Sequence, residues 1–334
     1  MTMERMENNA QLLEQYAGFL ERLINSIMAG LYGLAICVFI GLVLLMFAAR
    51  SHFHPLFCLL FTLVIICYII CNVLTVALML MNVTNCGTPQ SYAIINAVFP
   101  AVYVYLSCML TFCVLERFFA TVFPKNYELR RNWFVLLSLQ AIAVVIVVVH
   151  SRFDLFGGIV SDLVLLALYC VILVSLATLL MINRRMQAST RGKRSLSFRY
   201  QVSENVRALR LITPLVLFDT SVTIADMVAF LWFNVSRAFD ADNYKSSPNY
   251  LPAYIVLRTA AVVLQYGIAA VMLRHETLRR IAYSTLSKLA GRPICANVDR
   301  VDCIGRVAYV ENVNRERDDP AAVYFNYLRN QWTK

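Results

Sequence analysis

The sequence predicts an all-α membrane protein that folds as a bundle of seven transmembrane helices. Of its 334 residues, 60% are hydrophobic and only 15% are charged, and the mean hydropathy is +0.64. A soluble domain carries about 25% charged residues, so this chain has more apolar side chains than one globular core needs. The expected solvent is therefore a lipid bilayer.

Seven apolar runs are long enough to cross the hydrocarbon core, which takes about 20 helical residues. Their ranges are 27–49, 55–81, 91–115, 133–150, 158–182, 209–233 and 252–273. Each run is expected to be an α-helix, because backbone polar groups in lipid must bond within their own segment. The bundle, 27–273, is expected to follow an extracellular segment, 1–26, and to precede a cytoplasmic tail, 274–334.

The distribution of Lys and Arg predicts that the N-terminus lies outside and the C-terminus inside. With this orientation the cytoplasmic segments hold 23 of these residues and the outer segments hold 5. Cytoplasmic loops carry such an excess of basic residues. The two N-x-[ST] sequons, at Asn82 and Asn234, both fall in predicted outer loops and are the expected glycosylation sites. We therefore expect a multi-pass protein of the plasma membrane.

Several classes of function are disfavoured by the sequence. The net charge of +10 comes from Lys and Arg in short segments between apolar runs, without a nucleic-acid-binding motif, so no nucleic-acid partner is expected. The four histidines are split between the two predicted membrane faces, whereas a metalloenzyme needs several ligands around one metal. The chain also lacks a Gly-rich phosphate loop and a nucleophile elbow. We expect neither enzyme activity nor a cofactor or metal.

The third run ends on a pair of opposite charges, Glu116 and Arg117, at the predicted cytoplasmic mouth of its helix. Two interpretations are open. The long side chains can reach the aqueous edge of the membrane as a simple charge pair. Alternatively, the pair is a coupling switch, which holds the bundle closed by charge pairing and is released when the bundle opens.

Charged residues inside the last two runs predict a contact between helices. Charges within spans usually face the bundle interior. Asp226 and Arg258 lie about 11 and 9 Å below the outer ends of their helices, at 1.5 Å per residue. They are the candidate ion pair, which either locks two helices together or contacts a ligand. Asp219 lies two turns from Asp226 on the same helix face. Tyr103 and Tyr254 are expected to line the outer half of the same cavity.

The predicted inner face is rich in basic residues between the fifth and sixth runs. Such a loop rests on anionic lipid or, in a receptor, meets a G protein. The candidate G-protein-facing residues are Arg184, Arg185, Lys193 and Arg194. After the last run, apolar and basic residues alternate at helical spacing over 275–289. This pattern predicts an amphipathic helix on the inner leaflet, so membrane lipid is an expected partner.

Three stretches of the chain resemble one receptor family. LERFFATVFPKNYE (115–128), RYQVSENVRALR (199–210) and YFNYLRNQW (324–332) are together similar to nematode serpentine chemoreceptors of class epsilon, Sre, within the Sra-type superfamily. The resemblance implies a G-protein-coupled receptor that detects a small odorant or pheromone and signals through a heterotrimeric G protein. It also implies a location in the cilia of chemosensory neurons.

The same resemblance assigns a role to the charge pair at the end of the third run. Glu116 and Arg117 correspond to the acidic–arginine pair that ends the third helix in rhodopsin-like receptors. The seventh run departs from the rhodopsin-like pattern, because it reads LQYGIAAVML without Asn-Pro-x-x-Tyr.

The alternative function is a ligand-gated channel or a transporter with seven spans. Transporters often contain internal repeats, but this chain shows no evident repeat, and an odd number of spans disfavours simple duplication. Insect-type odorant channels place the N-terminus inside, which the charge distribution and the sequons disfavour. A scaffold or chaperone without a ligand is a third interpretation.

Overall fold

The computed structural model describes residues 2–51, 53–123, 133–153, 159–189, 196–247 and 249–289, and its regular elements in these ranges are all helical. The expected all-α fold is thereby confirmed. The elements are α1 (Thr2–Ala48), a 3₁₀ turn (Ala49–Ser51), α2 (Pro55–Thr84), α3 (Pro89–Val122), α4 (Trp133–Phe153), α5 (Ile159–Ser189), α6 (Leu196–Phe233), α7 (Ala241–Ser246), α8 (Tyr250–Arg274) and α9 (Glu276–Leu289).

Seven of the described helices, α1 to α6 and α8, are long and apolar enough to cross a membrane. This result confirms the seven spans. The helices continue past the apolar runs, most of all α1, which begins at Thr2, and α6, which begins at Leu196. Hydropathy marks only the part of a helix that lies in lipid, whereas the backbone bonding continues until a cap ends it. The N-terminal segment thus extends the first spanning helix.

The connection between α2 and α3 shows how local sequence ends one helix and begins the next. Asn85 ends α2 in the left-handed conformation with φ 52°, which Asn tolerates better than most residues. Thr88 then caps α3, because its hydroxyl accepts a hydrogen bond from the Ser91 amide at 3.2 Å. Pro89 follows at the first helical position, where its missing N–H has no consequence. The two helices therefore turn back on each other within a few residues.

Helix α3 is the central element of the bundle. It contacts α2, α4, α5 and α6, while α1 packs against α2 and α8. The end at which α2 and α6 finish is here called the outer end, following the predicted orientation, and the opposite end is called the inner end. One buried cluster fills the middle and inner part of the bundle, around Phe57, Leu110 and Ile212. A smaller cluster lies at the outer end, around Met79 and Tyr250.

Residues 234–240, here called the strap, follow α6 and fold back onto the outer end of the bundle. The side chain of Asn25 on α1 forms two hydrogen bonds with the backbone of Phe239, one to its carbonyl at 3.2 Å and one from its amide at 2.9 Å. The Phe239 ring packs against Tyr250 and Tyr254 of α8, with ring centroids 5.3 and 5.2 Å away. These contacts join the strap to α1 and α8.

At the inner end, α9 follows α8 after a break at His275. It packs against α8 and α1, and its own residue Leu278 is fully buried. The His275 ring lies 5.9 Å from the Phe53 ring, between centroids. A helix with one apolar and one basic face is suited to the surface of the inner leaflet. Its bounds, Glu276–Leu289, fall where the sequence places the amphipathic helix.

Candidate functional site

Glu116 and Arg117 lie on the last turns of α3, where both side chains are buried, with exposed fractions of 4% and 1%. Adjacent helical residues do not normally face each other. Here the Arg117 guanidinium folds back and donates from Nε and Nη2 to the two carboxylate oxygens of Glu116. A pair reaching for the aqueous edge of the membrane would be exposed, so the burial of both side chains disfavours that interpretation.

The buried pair also contacts the neighbouring helices. Arg117 Nη1 donates to the side-chain oxygen of Asn205 on α6 at 3.0 Å, and the guanidinium lies 4.8 Å from the ring centroid of Phe57 on α2. His54 Nδ1 lies 3.7 Å from a carboxylate oxygen of Glu116. These contacts connect the inner ends of α2, α3 and α6. Following the predicted orientation, we call this group the cytoplasmic cluster; its members are Glu116, Arg117, His54, Phe57, Asn205 and the adjacent Glu204.

Glu204 ties the segment before α2 to the same cluster. Its carboxylate accepts a hydrogen bond from the backbone amide of His54 at 2.7 Å. A second contact, from Asn183 Nδ2 to the Thr121 hydroxyl at 2.9 Å, joins α5 to α3 nearby. The inner end of α3 is therefore held by polar contacts to α2, α5 and α6. Such contacts can be exchanged as a group when helices separate.

A second group of polar side chains lies deeper in the bundle and is here called the central polar cluster. Its members come from four helices: Tyr68 of α2, Tyr103 and Ser107 of α3, Tyr169 of α5, and Asp219 and Thr223 of α6. The Tyr68 hydroxyl donates to Asp219 Oδ1 at 2.6 Å. The Tyr103 and Thr223 hydroxyls lie 2.6 Å apart, and those of Ser107 and Tyr169 lie 3.0 Å apart.

The third group lies at the outer end and includes the pair that the sequence singles out. Arg258 Nη1 on α8 donates to Asp226 Oδ1 on α6 at 2.8 Å. Arg258 also donates from Nε and Nη2 to the carbonyl oxygen of Ser236 in the strap, at 3.1 and 3.0 Å. The Asp226 side chain is 49% exposed, whereas that of Arg258 is 8% exposed. The pair therefore joins α6, α8 and the strap.

The strap also delivers a second arginine to the outer end. The Arg237 guanidinium lies 3.7 Å from the ring centroid of Phe99 on α3, and that ring stacks on Tyr103 one turn further along. The carbonyl oxygen of Arg237 accepts a hydrogen bond from the Tyr254 hydroxyl at 3.3 Å. Contacts thus run from the strap through Phe99 and Tyr103 to the central polar cluster.

The structure groups the residues predicted for the ligand cavity differently from the sequence. Asp226 and Arg258 are brought together. Asp219 is fully enclosed in the central polar cluster, two turns away from the half-exposed Asp226. Tyr103 belongs to that cluster too, whereas Tyr254 packs in the outer cluster against Phe239. The two tyrosines thus lie in different surroundings instead of along one wall.

The remaining predicted sites lie on the periphery. Asn82 is in the last turn of α2, where its side-chain oxygen accepts a hydrogen bond from Tyr92 at 2.8 Å, and Asn234 is exposed just after α6. Arg184 and Arg185 are exposed near the end of α5. Lys193, Arg194, the residues after Phe123 in the 115–128 stretch and the whole of 324–332 lie outside the described residues. The glycosylation and G-protein assignments stay predictions.

Several residues of these clusters were not identified from the sequence. Polar residues inside apolar runs are a signal of a buried polar group, and Tyr68, Ser107 and Tyr169 are such residues. Their bonding partners could not be predicted, because these depend on the rotation of each helix. His54, Glu204 and Asn205 lie in polar segments that carry no periodic pattern.

Within the described ranges, no three His, Cys, Asp or Glu side chains come together as a metal site.

The chain was compared with known protein families. The model of the family described as Sre G protein-coupled chemoreceptor matches residues 81–333, more than half of the chain. This range contains all three stretches on which the resemblance was based, and the match confirms that resemblance. A comparison with curated proteins gave no match.

Proposed function

Because the chain belongs to the Sre G protein-coupled chemoreceptor family, we propose that it detects a small chemical cue at the outer end of its bundle. Binding is transmitted along α3 and α6 to the inner end, where a heterotrimeric G protein is engaged. The receptor works in the plasma membrane with its N-terminus outside, in the cilia of chemosensory neurons. Family membership favours a receptor over an enzyme.

The observation that carries this proposal is the cytoplasmic cluster. Arg117 is buried at the inner end of α3 and holds α6 through Asn205. Movement of α6 away from α3 would break that bond, while the pairing of Arg117 with Glu116 within α3 remains. A hydrogen bond to a charged group contributes about 1.5–3 kcal/mol, so its loss disfavours the open bundle. The contacts therefore favour the closed bundle, and a ligand shifts the population by binding the open bundle more tightly.

The outer end supplies features suited to binding a ligand. A carboxylate inside a membrane-spanning helix faces a water-filled space or a partner, and Asp226 is both half-exposed and paired with Arg258. Phe99 and Arg237 add aromatic and cationic surface at the same end of the bundle. A small molecule that contacts this region would alter the positions of the strap, α3 and α6 together.

The inner face provides the partner surface of the proposed receptor. Arg184 and Arg185 are exposed on α5, next to the end of α3 that carries the cytoplasmic cluster. Basic residues at this level attract anionic lipid headgroups, and α9 lies along the same leaflet. The same surface meets the G protein once α6 has moved.

The test is a cue screen in cells that co-express the receptor, a promiscuous G protein and a calcium reporter. The wild type is expected to respond to at least one pool of volatile or water-soluble cues. Arg117→Ala is expected to lose that cue-dependent change, because without the bond to Asn205 the closed bundle is no longer favoured before the cue is added. Arg50→Ala is the matched control, since Arg50 is exposed at the inner end of α1 and stacks on Phe47. Staining of an N-terminal tag without permeabilisation is used to match the surface levels of the variants and to check that the N-terminus lies outside.

Three outcomes would contradict the proposal. Staining of the tag only after permeabilisation would show that the N-terminus lies inside, opposite to the proposed orientation. A cue response that survives Arg117→Ala would remove the cytoplasmic cluster from signalling. A cue-dependent current in cells without the G protein would favour the channel alternative.

A further inference from the structure

Asp219 is an acidic residue deep inside the bundle, with an exposed fraction of 2%. It lies 14 residues before the outer end of α6 at Phe233, which is about 21 Å at 1.5 Å per residue. The hydrocarbon core is about 30 Å thick, so Asp219 is well inside it. An ionisable group at this depth is costly and usually marks a functional site.

The surrounding hydroxyls leave part of the carboxylate unsatisfied. Tyr68 donates to Oδ1, but Oδ2 accepts no hydrogen bond of ordinary geometry within the described chain. The hydroxyl hydrogen of Thr223 goes to the backbone oxygen of Asp219 at 2.9 Å. A hydroxyl has one hydrogen, so Tyr103 must be the donor to Thr223. By the same reasoning Ser107 donates to the Tyr103 carbonyl at 3.1 Å, and Tyr169 donates to Ser107.

The Tyr169 hydroxyl lies close to both Ser107 and Asp219, and its single hydrogen can be donated to only one of them at a time. The hydroxyls of the cluster therefore supply fewer hydrogens than its oxygens can accept. No salt bridge to Asp219 forms among the described residues: Arg258 pairs with Asp226, and the Arg237 guanidinium lies over the Phe99 ring. The centre of the bundle therefore holds a carboxylate and hydroxyl oxygens with no counter-charge of their own.

We propose that Asp219 and the hydroxyl oxygens of the central polar cluster bind one compact monovalent cationic centre. Only one carboxylate is present, and no three His, Cys, Asp or Glu side chains meet within the described ranges. Ca²⁺ and transition metals prefer more carboxylates, or nitrogen and sulfur ligands. Hard oxygen donors with a single negative charge suit Na⁺ or a protonated amine instead. Binding of an amine rests on the proposed function, because the amine would be part of the chemical cue. Binding of Na⁺ does not rest on that function.

The experiment measures the thermal unfolding midpoint of the purified full-length receptor in lipid nanodiscs. NaCl or methylammonium chloride replaces choline chloride at constant ionic strength. A ligand that binds only the folded state raises the midpoint in a saturable manner. A saturable rise with Na⁺ alone identifies the ion as the occupant, and a rise with methylammonium alone identifies an amine. No signalling step enters this readout, so its result is separate from that of the cue screen.

Asp219→Asn is expected to abolish the rise, because it keeps the shape of the side chain and removes the charge. Tyr169→Phe keeps the ring, removes one oxygen and is expected to raise the half-saturating concentration several-fold, which tests the site even if Asp219→Asn folds poorly. Ser221→Ala is the matched control on the same helix, because the Ser221 hydroxyl bonds within its own helix to the Leu217 carbonyl, and it should keep the rise. Equal midpoints in all three salts would overturn the proposal, as would a rise that persists in Asp219→Asn or is lost equally in Ser221→Ala.

Discussion

Two buried arginines, Arg117 and Arg258, each combine a carboxylate partner with hydrogen bonds to other elements. Arg117 bonds to Glu116 and to Asn205 of α6. Arg258 bonds to Asp226 and to the Ser236 carbonyl in the strap. Guanidinium suits this task because its five donors are fixed in one plane and it stays charged. Each arginine therefore holds more than one element in place.

At this scale we predict that substitution of the two members of the outer ion pair, Arg258 and Asp226, lowers the stability of the receptor by different amounts. Arg258→Ala removes the bonds to Asp226 and to the strap, whereas Asp226→Ala removes only one of them. A hydrogen bond to a charged group contributes about 1.5–3 kcal/mol, so Arg258→Ala should lower the thermal unfolding midpoint of the purified receptor more. The double variant should resemble Arg258→Ala alone, because both changes remove the same pairing. Additive effects of the two changes would show that the pairing does not contribute to stability.

At the scale of elements, the strap lies over the outer end of the bundle and is held there by hydrogen bonds to two helices, α1 and α8. Asn25 of α1 binds Phe239, and Arg258 and Tyr254 of α8 bind the carbonyl oxygens of Ser236 and Arg237. The strap has few backbone bonds of its own, so these side chains set its position. Its position in turn sets that of the Arg237 side chain on Phe99.

We predict that Asn25→Ala loosens the strap. The variant loses two buried hydrogen bonds and leaves the Phe239 backbone groups unpaired, at a cost of roughly 1–3 kcal/mol for each unsatisfied group. Hydrogen–deuterium exchange of residues 236–240 should become faster, while exchange in the middle of α3 stays unchanged. Ser26→Ala is the matched control, because the Ser26 hydroxyl is exposed and bonds only within its own helix, to Arg22. Equal protection of the strap in Asn25→Ala and Ser26→Ala would contradict its attachment through Asn25.

The number of membrane-spanning helices could be predicted from the sequence because the hydropathy of a span depends on local composition alone. Helix ends could not, since polar turns of α1 and α6 continue beyond the lipid. The Asp226–Arg258 contact could be predicted by comparing the depths of the two residues along sequential helices. The separation of Tyr103 from Tyr254 could not be predicted, because the rotation of each helix about its axis is decided by packing against its neighbours.

At the scale of the whole molecule, the three polar groups lie at successive depths along α3 and α6. Asp226, Asp219 and Asn205 mark the outer, central and inner levels on α6. Phe99, Tyr103 and Arg117 mark corresponding levels on α3. Apolar packing between these levels is rigid and resists gradual deformation. On the proposed function, we therefore expect a change at the outer level to reach the inner level as a shift of whole helices.

The central claim is that the cytoplasmic cluster holds the receptor in its inactive, closed state. The most direct test is the ligand-independent, G-protein-dependent signal of Asn205→Ala, compared at equal surface level with the wild type and with Asn249→Ala, an exposed asparagine at the opposite end of the molecule. Loss of the hydrogen bond that holds α6 to Arg117, about 1.5–3 kcal/mol, predicts a basal signal roughly tenfold or more above wild type. A basal signal equal to that of the wild type, or one that persists without the G protein, would contradict the claim.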